Sequence, residues 1–247
     1  MMKITGMLAW WDEPAADLYA CVRSMRTLCD AVVAVDGAYE MTPGATRLSP
    51  PEQAAAISQA ARNFGMDCTI VYPQKIWTGQ VEKRNAMLDI AVEDSDWVIA
   101  VDADHRHVGD RTKIRAELCR LGDTADSVRH DFYTPPPANP ADLEKLSPHP
   151  WHTKLSGKTI EHSLILRVLD DMRLERDHWG YSGVRDGQRV ALGNWRAQNI
   201  QPGRYHRLAA PFRVDHVCFV RDQMRLDRNR VYCATRDAFK SSNGFEP

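Results

Sequence analysis

Apolar and polar residues alternate along the first hundred positions with two different periods. Short apolar runs, which are typical of buried strands, occupy positions 2–10, 31–35, 67–72 and 96–101. Between them, apolar residues recur at helical spacing at positions 15–28, 50–64 and 81–92. This alternation predicts an α/β domain with a mainly parallel sheet flanked by helices.

The helix predicted at 50–64 has signals at both of its ends. Ser49 is a candidate cap, Pro50 and Pro51 suit the first turn, and Glu52 occupies the capping-box position. Gly65 stands where a glycine commonly ends a helix.

The pattern is less regular in the second half of the chain. It predicts a helix and three strands followed by a final helix, at 111–121, 126–133, 160–169, 212–220 and 221–238. A run of prolines opens a long loop at 134–158, and loops of this length are typical of binding loops, lids or disordered segments. We expect one domain over 1–247, with 1–108 and 109–247 as its two halves.

Composition indicates a globular chain with one sizeable core, because 43% of the residues are hydrophobic and 26% are charged. Six cysteines without a C-x-x-C pair argue against a zinc ribbon or a disulfide framework. Asp12, Glu13 and Pro14 interrupt the apolar N-terminus, so we expect neither a signal peptide nor a membrane span, and a cytoplasmic location. The basic second half suits either an anionic ligand or solvated helix faces.

Carboxylates follow three of the predicted strands. Glu13, Asp36, and the pair Asp102 and Asp104 all come directly after apolar runs. In open α/β sheets, ligands bind beyond the carboxyl ends of the strands. Two acids on one turn can serve one Mn²⁺ or Mg²⁺ ion, although surface turns are also rich in Asp. The glycine motifs of dinucleotide dehydrogenases and P-loop NTPases are absent from the sequence.

Four short motifs in order resemble the landmarks of family-2-like glycosyltransferases, which have the GT-A fold and a DXD motif. They are Trp11-Asp12-Glu13, Val33-Ala34-Val35-Asp36-Gly37-Ala38, Glu82-Lys83-Arg84-Asn85 and Trp97-Val98-Ile99-Ala100-Val101-Asp102-Ala103-Asp104. The resemblance covers roughly residues 3–108. It implies a GT-A-type, Rossmann-like fold with a C-terminal acceptor-side extension. It also implies a metal-dependent, inverting transfer of sugar from a nucleoside-diphosphate sugar, with UDP-sugars favoured.

The resemblance also assigns roles to individual residues. It implies that Trp11, Glu13 and Asp36 contact the nucleoside, and that Lys83, Arg84 and Asn85 lie near the diphosphate. Asp102 and Asp104 would handle the metal and the donor, and His216 would complete the metal site. Other interpretations remain open: Arg84 as a surface charge of its helix, Asp36 as a turn residue, and His216 as a structural histidine. Asp12 and Gly37-Ala38-Tyr39-Glu40 depart from the family pattern, which leaves the donor undetermined.

An inverting transfer needs a carboxylate that takes the proton of the acceptor hydroxyl. Asp186 is the candidate base, because its surroundings resemble the region that holds the base in related enzymes; Asp177 and Asp215 also qualify by residue type. Tyr181, like Trp179, could stack on a sugar or pack in the core. His105 and His107 are not predicted to be ligands, because no zinc-hydrolase motif accompanies them.

Two other classes of function remain open. One is a nucleotidyltransferase or phosphotransferase that uses strand-end carboxylates and a metal, and the other is a non-catalytic module that binds nucleotide sugars. Overall charge is near neutral, at −1, so a glycan, protein or small-molecule acceptor is favoured over DNA that carries modified bases.

Overall fold

The computed structural model describes residues 2–42, 44–139, 154–176, 180–193 and 200–218. The first seven elements are β1 (Ile4–Ala9), α1 (Ala15–Met25), β2 (Ala31–Val35), α2 (Pro51–Asn63), β3 (Asp67–Val71), α3 (Gln80–Ala91) and β4 (Trp97–Asp102). They are followed by β5 (His105–Gly109), α4 (Arg111–Leu121), a 3₁₀ turn (Gly122–Thr124), β6 (Ser127–Tyr133) and β7 (Thr159–Arg167). The remaining strands are β8 (Asp170–Arg176), β9 (Gly180–Arg185), β10 (Gln188–Leu192), β11 (Gln201–Pro202), β12 (Tyr205–Arg207) and β13 (Phe212–His216).

Nine of the described strands form one sheet in the order β3-β2-β1-β4-β7-β6-β13-β5, with β12 beside β6. The pairs among β3, β2, β1 and β4 are all parallel, whereas β7 is antiparallel to both of its neighbours. The predicted α/β fold, Rossmann-like with a mainly parallel sheet flanked by helices, is confirmed.

Burial on both faces explains why the central strands appear as continuous apolar runs. All five residues of β2 are buried. Val32 and Ala34 join the core cluster that contains α1 and α2, whereas Val33 and Val35 join the cluster that contains α3. The helices therefore cover opposite faces of the sheet, as the alternation of strands and helices predicts.

The two ends of α2 behave differently from each other. At its C-terminus the predicted glycine is confirmed: Gly65 has φ +64°, and Met66 N–H donates to the Ala61 carbonyl at 2.9 Å. At its N-terminus the predicted cap is wrong, because Ser49 makes no capping bond and Pro50 is the cap residue. Ser49 instead donates to Asp36, through Oγ at 2.5 Å.

A second, four-stranded sheet in the order β11-β10-β9-β8 packs against α3 and was not predicted from the sequence. The amide of Asn85 joins it to the helix, because it accepts from Leu174 N–H at 2.7 Å and donates to the Leu174 carbonyl at 3.1 Å. The fully buried carboxylate of Asp126 joins it to the main sheet, because Arg185 of β9 donates to it.

Several sequence predictions lie outside the described residues: the helix at 221–238, Asp177, Trp179 and most of the loop at 134–158. The described ends of that loop lie together, since Gly157 N–H donates to the Thr134 carbonyl at 2.8 Å. Among the helices of the described ranges, none has the length and apolar character that a membrane crossing requires.

Candidate functional site

The carboxyl ends of β1, β2 and β4 meet at one rim of the main sheet, because these strands are parallel neighbours. From β1 the chain runs to β2 and β3 on one side, whereas β4 lies on the other. Such a reversal of strand order opens a crevice beyond the strand ends, and ligands commonly bind there. The predicted site residues Trp11, Glu13, Asp36 and Asp102 all lie at or just beyond these ends.

Asp104, His105 and His216 form a cluster at this rim with the composition of a metal site. Their ligand atoms lie within 4.8 Å of one another. Nε2 of His216 lies 3.2 Å from Oδ2 of Asp104, and both side chains are largely buried. The antiparallel pairing of β13 with β5 sets His216 opposite His105. The structure therefore brings together Asp104 and His216, as predicted, and adds His105, which was not predicted to be a ligand.

Electrostatics distinguish the two histidines of the cluster. Burial disfavours the charged form of both, but the adjacent Asp104 carboxylate outweighs it at His216 and raises the pKa of that residue to about 10. Burial prevails at His105, whose pKa is lowered to about 4. Asp102 N–H donates to Nδ1 of His105 at 3.2 Å, which leaves the proton of the neutral ring on Nε2. The lone pair of His105 is thus already engaged, and a metal held by Asp104 and His216 would have to displace the proton that the raised pKa keeps on the His216 ring beside Asp104.

Asp102 is directed toward α3 and makes an ion pair with Arg84, whose Nη2 lies 2.6 Å from Oδ1 of Asp102. The Arg84 side chain is only 1% exposed, so it is not a surface charge of its helix. Burial alone would raise the pKa of Asp102, but the guanidinium beside it lowers that pKa. Tyr181 of β9 is buried and lies close enough to Arg84 for each to affect the other's pKa. Asp102 is not part of the three-residue cluster, and its predicted metal role stays a prediction.

Lys83 is buried and joins the ends of two strands. Its Nζ donates to the carbonyls of Trp10 and Gly37, each at 2.6 Å. Burial lowers the pKa of Lys83 to about 7, against the attraction of Asp36. The Lys83 side chain therefore stabilises the rim, and its predicted contact with a diphosphate stays a prediction.

The residues predicted to contact the nucleoside hold the loop between β2 and α2. Both carboxylate oxygens of Asp36 accept from Ser49, through Oγ at 2.5 Å and the backbone N–H at 2.8 Å. The indole of Trp11 donates to Oγ1 of Thr46 at 3.0 Å, and Glu13 N–H donates to the side chain of Gln53 at 3.1 Å. Asp36 thus also has the alternative role of a turn residue, and its predicted contact with a nucleoside stays a prediction.

Three predicted residues lie away from the cluster. Asn85 is engaged by Leu174 of the second sheet, as described above. Asp186 occupies the exposed turn between β9 and β10 with φ +53°, followed by Gly187 at φ +74°. Five residue steps along β9 and into the turn separate Asp186 from Tyr181, or roughly 16 Å at ~3.3 Å per residue. Asp215 alternates with His216 along β13, so its side chain lies on the opposite face and accepts from Arg213 at 2.6 Å.

The sequence prediction missed two contributors to this rim, His105 and Ser49. His105 lies in β5, a strand whose buried positions are histidines rather than apolar residues. The available signal was its position directly after Asp104. Ser49 suggested a helix cap, and no sequence pattern points to its bond with Asp36.

No protein-family model matches this chain, and no curated protein sequence matches it. Among solved structures, it is similar to a UDP-glucose pyrophosphorylase complexed with UDP-glucose, at a TM-score of 0.32 and 10% identity. That match covers 98% of this chain and 100% of the other. A TM-score this low carries no argument about function. The resemblance to family-2-like glycosyltransferases is not confirmed by these comparisons.

Proposed function

We propose that this protein is a metal-dependent glycosyltransferase that uses a nucleoside-diphosphate sugar, with its metal held by Asp104 and His216. The observation that carries the proposal is the 3.2 Å contact between these side chains beside the crevice of the sheet. The order of motifs that resembles family-2-like glycosyltransferases supports the sugar donor.

The side chains present fit a transition-metal ion better than a hard alkaline-earth ion. Carboxylate oxygen suits Mg²⁺ and Mn²⁺ alike, whereas imidazole nitrogen is a poor partner for Mg²⁺. We therefore favour Mn²⁺ among the two predicted cofactors. When bound, the ion would neutralise charge that develops on the leaving diphosphate. His216 and Asp104 would hold it, and the Arg84–Asp102 pair would fix the adjoining strand end.

We propose the donor and the acceptor only as chemical classes. UDP-sugars are the first donors to test, because the resemblance favours them. The acceptor is a hydroxyl of a glycan, protein or small molecule. Among the described carboxylates, neither Asp186 nor Asp215 lies beside the cluster, so the catalytic base is unassigned.

A thermal-shift panel tests the metal and donor together. We would measure the melting temperature with UDP, GDP, CDP, ADP and dTDP, each with and without Mn²⁺. A nucleotide at one hundred times its Kd stabilises the native state by about 2.7 kcal/mol. We expect metal-dependent stabilisation that Asp104→Asn abolishes. Asp215→Asn is the matched control, because its carboxylate neighbours His216 in sequence but lies on the other face of β13.

Product analysis then separates the classes of reaction. With the donor that the panel identifies, a glycosyltransferase releases the nucleoside diphosphate. Release of pyrophosphate would instead support a nucleotidyltransferase. Binding with neither product, across a broad acceptor screen, would support a non-catalytic module.

A further inference from the structure

Arg106 binds the backbone on both sides of Asp104. It follows His105 in β5, and its side chain is 20% exposed. One nitrogen, Nη1, donates to the carbonyls of Ala103 and His105, each at 2.9 Å. The other, Nη2, lies 3.3 Å from Oδ1 of Asp17 on α1.

The carbonyl between these two is also engaged. Val217 N–H donates to the Asp104 carbonyl at 2.8 Å. Three successive carbonyls of the turn between β4 and β5 are thus fixed, the outer two by Arg106 and the middle one by the residue after His216. The backbone of Asp104 cannot rotate without breaking bonds on both sides.

Fixing this backbone matters for a metal ligand. A carboxylate on a free turn would sample several positions, and ordering it would cost conformational entropy when a metal binds. Groups that orient metal ligands typically contribute 10–100-fold to metal affinity. Hydrogen bonds from a charged guanidinium are stronger than neutral ones, which suits Arg106 to this task.

We propose that Arg106 is a positioning residue that presents Asp104 to a divalent metal shared with His216. The proposal rests on the metal site of the proposed function and does not depend on which reaction follows. Asp17 supports the same guanidinium from α1, at a partly exposed position where an ion pair contributes little.

The chain contains a closely matched control for Arg106. Nη1 of Arg111 donates to the carbonyls of Arg26 and Cys29 at 2.7 and 2.9 Å, and its Nη2 donates to Asp30 at 2.6 Å. Its side chain is 27% exposed, and its partner Asp30 precedes β2, at the opposite edge of the sheet. Arg111→Gln therefore removes the same kinds of contact far from the cluster.

The test measures the binding of Mn²⁺ alone to the full chain, by counting free Mn²⁺ with electron paramagnetic resonance, alongside the melting temperature. We expect Arg106→Gln to weaken Mn²⁺ binding about 10–100-fold. Arg111→Gln should leave Mn²⁺ affinity within about two-fold of the unsubstituted chain, while it lowers the melting temperature at least as much as Arg106→Gln does. Arg106→Lys should recover part of the affinity, because one ammonium can donate to both carbonyls that Nη1 now binds.

Equal Mn²⁺ affinity in Arg106→Gln and the unsubstituted chain would overturn the role of Arg106 alone. Equal weakening in Arg106→Gln and Arg111→Gln would also overturn it, since the effect would then follow general stability. Failure of the unsubstituted chain to bind Mn²⁺ would overturn the metal site together with this proposal. Mn²⁺ binding without sugar transfer would contradict only the glycosyltransferase.

Discussion

The buried ion pair between Arg84 and Asp102 should make Asp102→Asn costly to stability. Breaking a buried pair on one side typically costs about 3–5 kcal/mol, because the remaining charge stays buried without its partner. Arg84 is 1% exposed, but Asp102 is 36% exposed, so solvent screens part of their attraction. We therefore expect Asp102→Asn to lower the free energy of unfolding by about 2 kcal/mol.

A loss of this size is measurable by urea denaturation. For a chain of this length, ~1 kcal/mol corresponds to about 2–4 °C, so the melting temperature should fall by about 4–8 °C. A double-mutant cycle with Arg84→Gln isolates the pair, and its coupling energy should reach about 1–2 kcal/mol.

The pair of Arg207 and Asp131 provides the control for that cycle. It has the same 2.6 Å separation, but its side chains are 46% and 41% exposed. Its coupling energy should stay below about 1 kcal/mol. If the two cycles gave equal coupling energies, burial of Arg84 would not be the reason for the cost of Asp102→Asn.

Two further predictions concern pH and the candidate base. Burial lowers the pKa of His130 to about 4. The hydrogen bond with the Asp131 carbonyl opposes this shift, whereas the nearby His162 adds to it. The unfolded state therefore takes up the proton first as pH falls. We expect the free energy of unfolding to fall as pH drops from ~6.5 toward 4. Urea denaturation should show that His130→Phe reduces the loss between pH 7 and pH 5 by about 2 kcal/mol. A loss as steep in the variant as in the unsubstituted chain would contradict this. Asp186→Asn should keep both the hairpin and the turnover, because Asn also adopts positive φ; a loss of kcat of about 100-fold at unchanged KM would instead support Asp186 as the base.

Much of the first half of the fold could be predicted from the sequence, because burial on both faces leaves a simple pattern. Strands such as β2, with every residue buried, appear as uninterrupted apolar runs. In contrast, β8 buries only two residues of its seven, Met172 and Leu174, so no apolar run marks it. β5 carries His105 and His107 at its buried positions, and buried histidines do not count as apolar in such patterns.

The sequence predicted the position of the candidate site more accurately than the contacts among its side chains. Acids at strand ends predict the rim, because parallel strands bring their carboxyl ends together. The partners of Lys83 are backbone carbonyls of other elements, and contacts of this kind leave no trace in residue spacing. The engagement of Asp36 by Ser49 was hidden for the same reason, and only the assembled loop reveals it.

The contact between Asp104 and His216 joins positions that are far apart along the chain. Asp104 directly precedes the edge strand β5, and His216 ends its neighbour β13, so their contact requires β13 to have paired with β5. Contacts between distant positions form slowly, because closing a long loop costs conformational entropy before the contact can stabilise the fold. A metal bound by both residues would therefore stabilise the completed fold more than any partly folded state. During refolding, metal binding should therefore follow the formation of helical structure, and it would report that β13 has paired with β5.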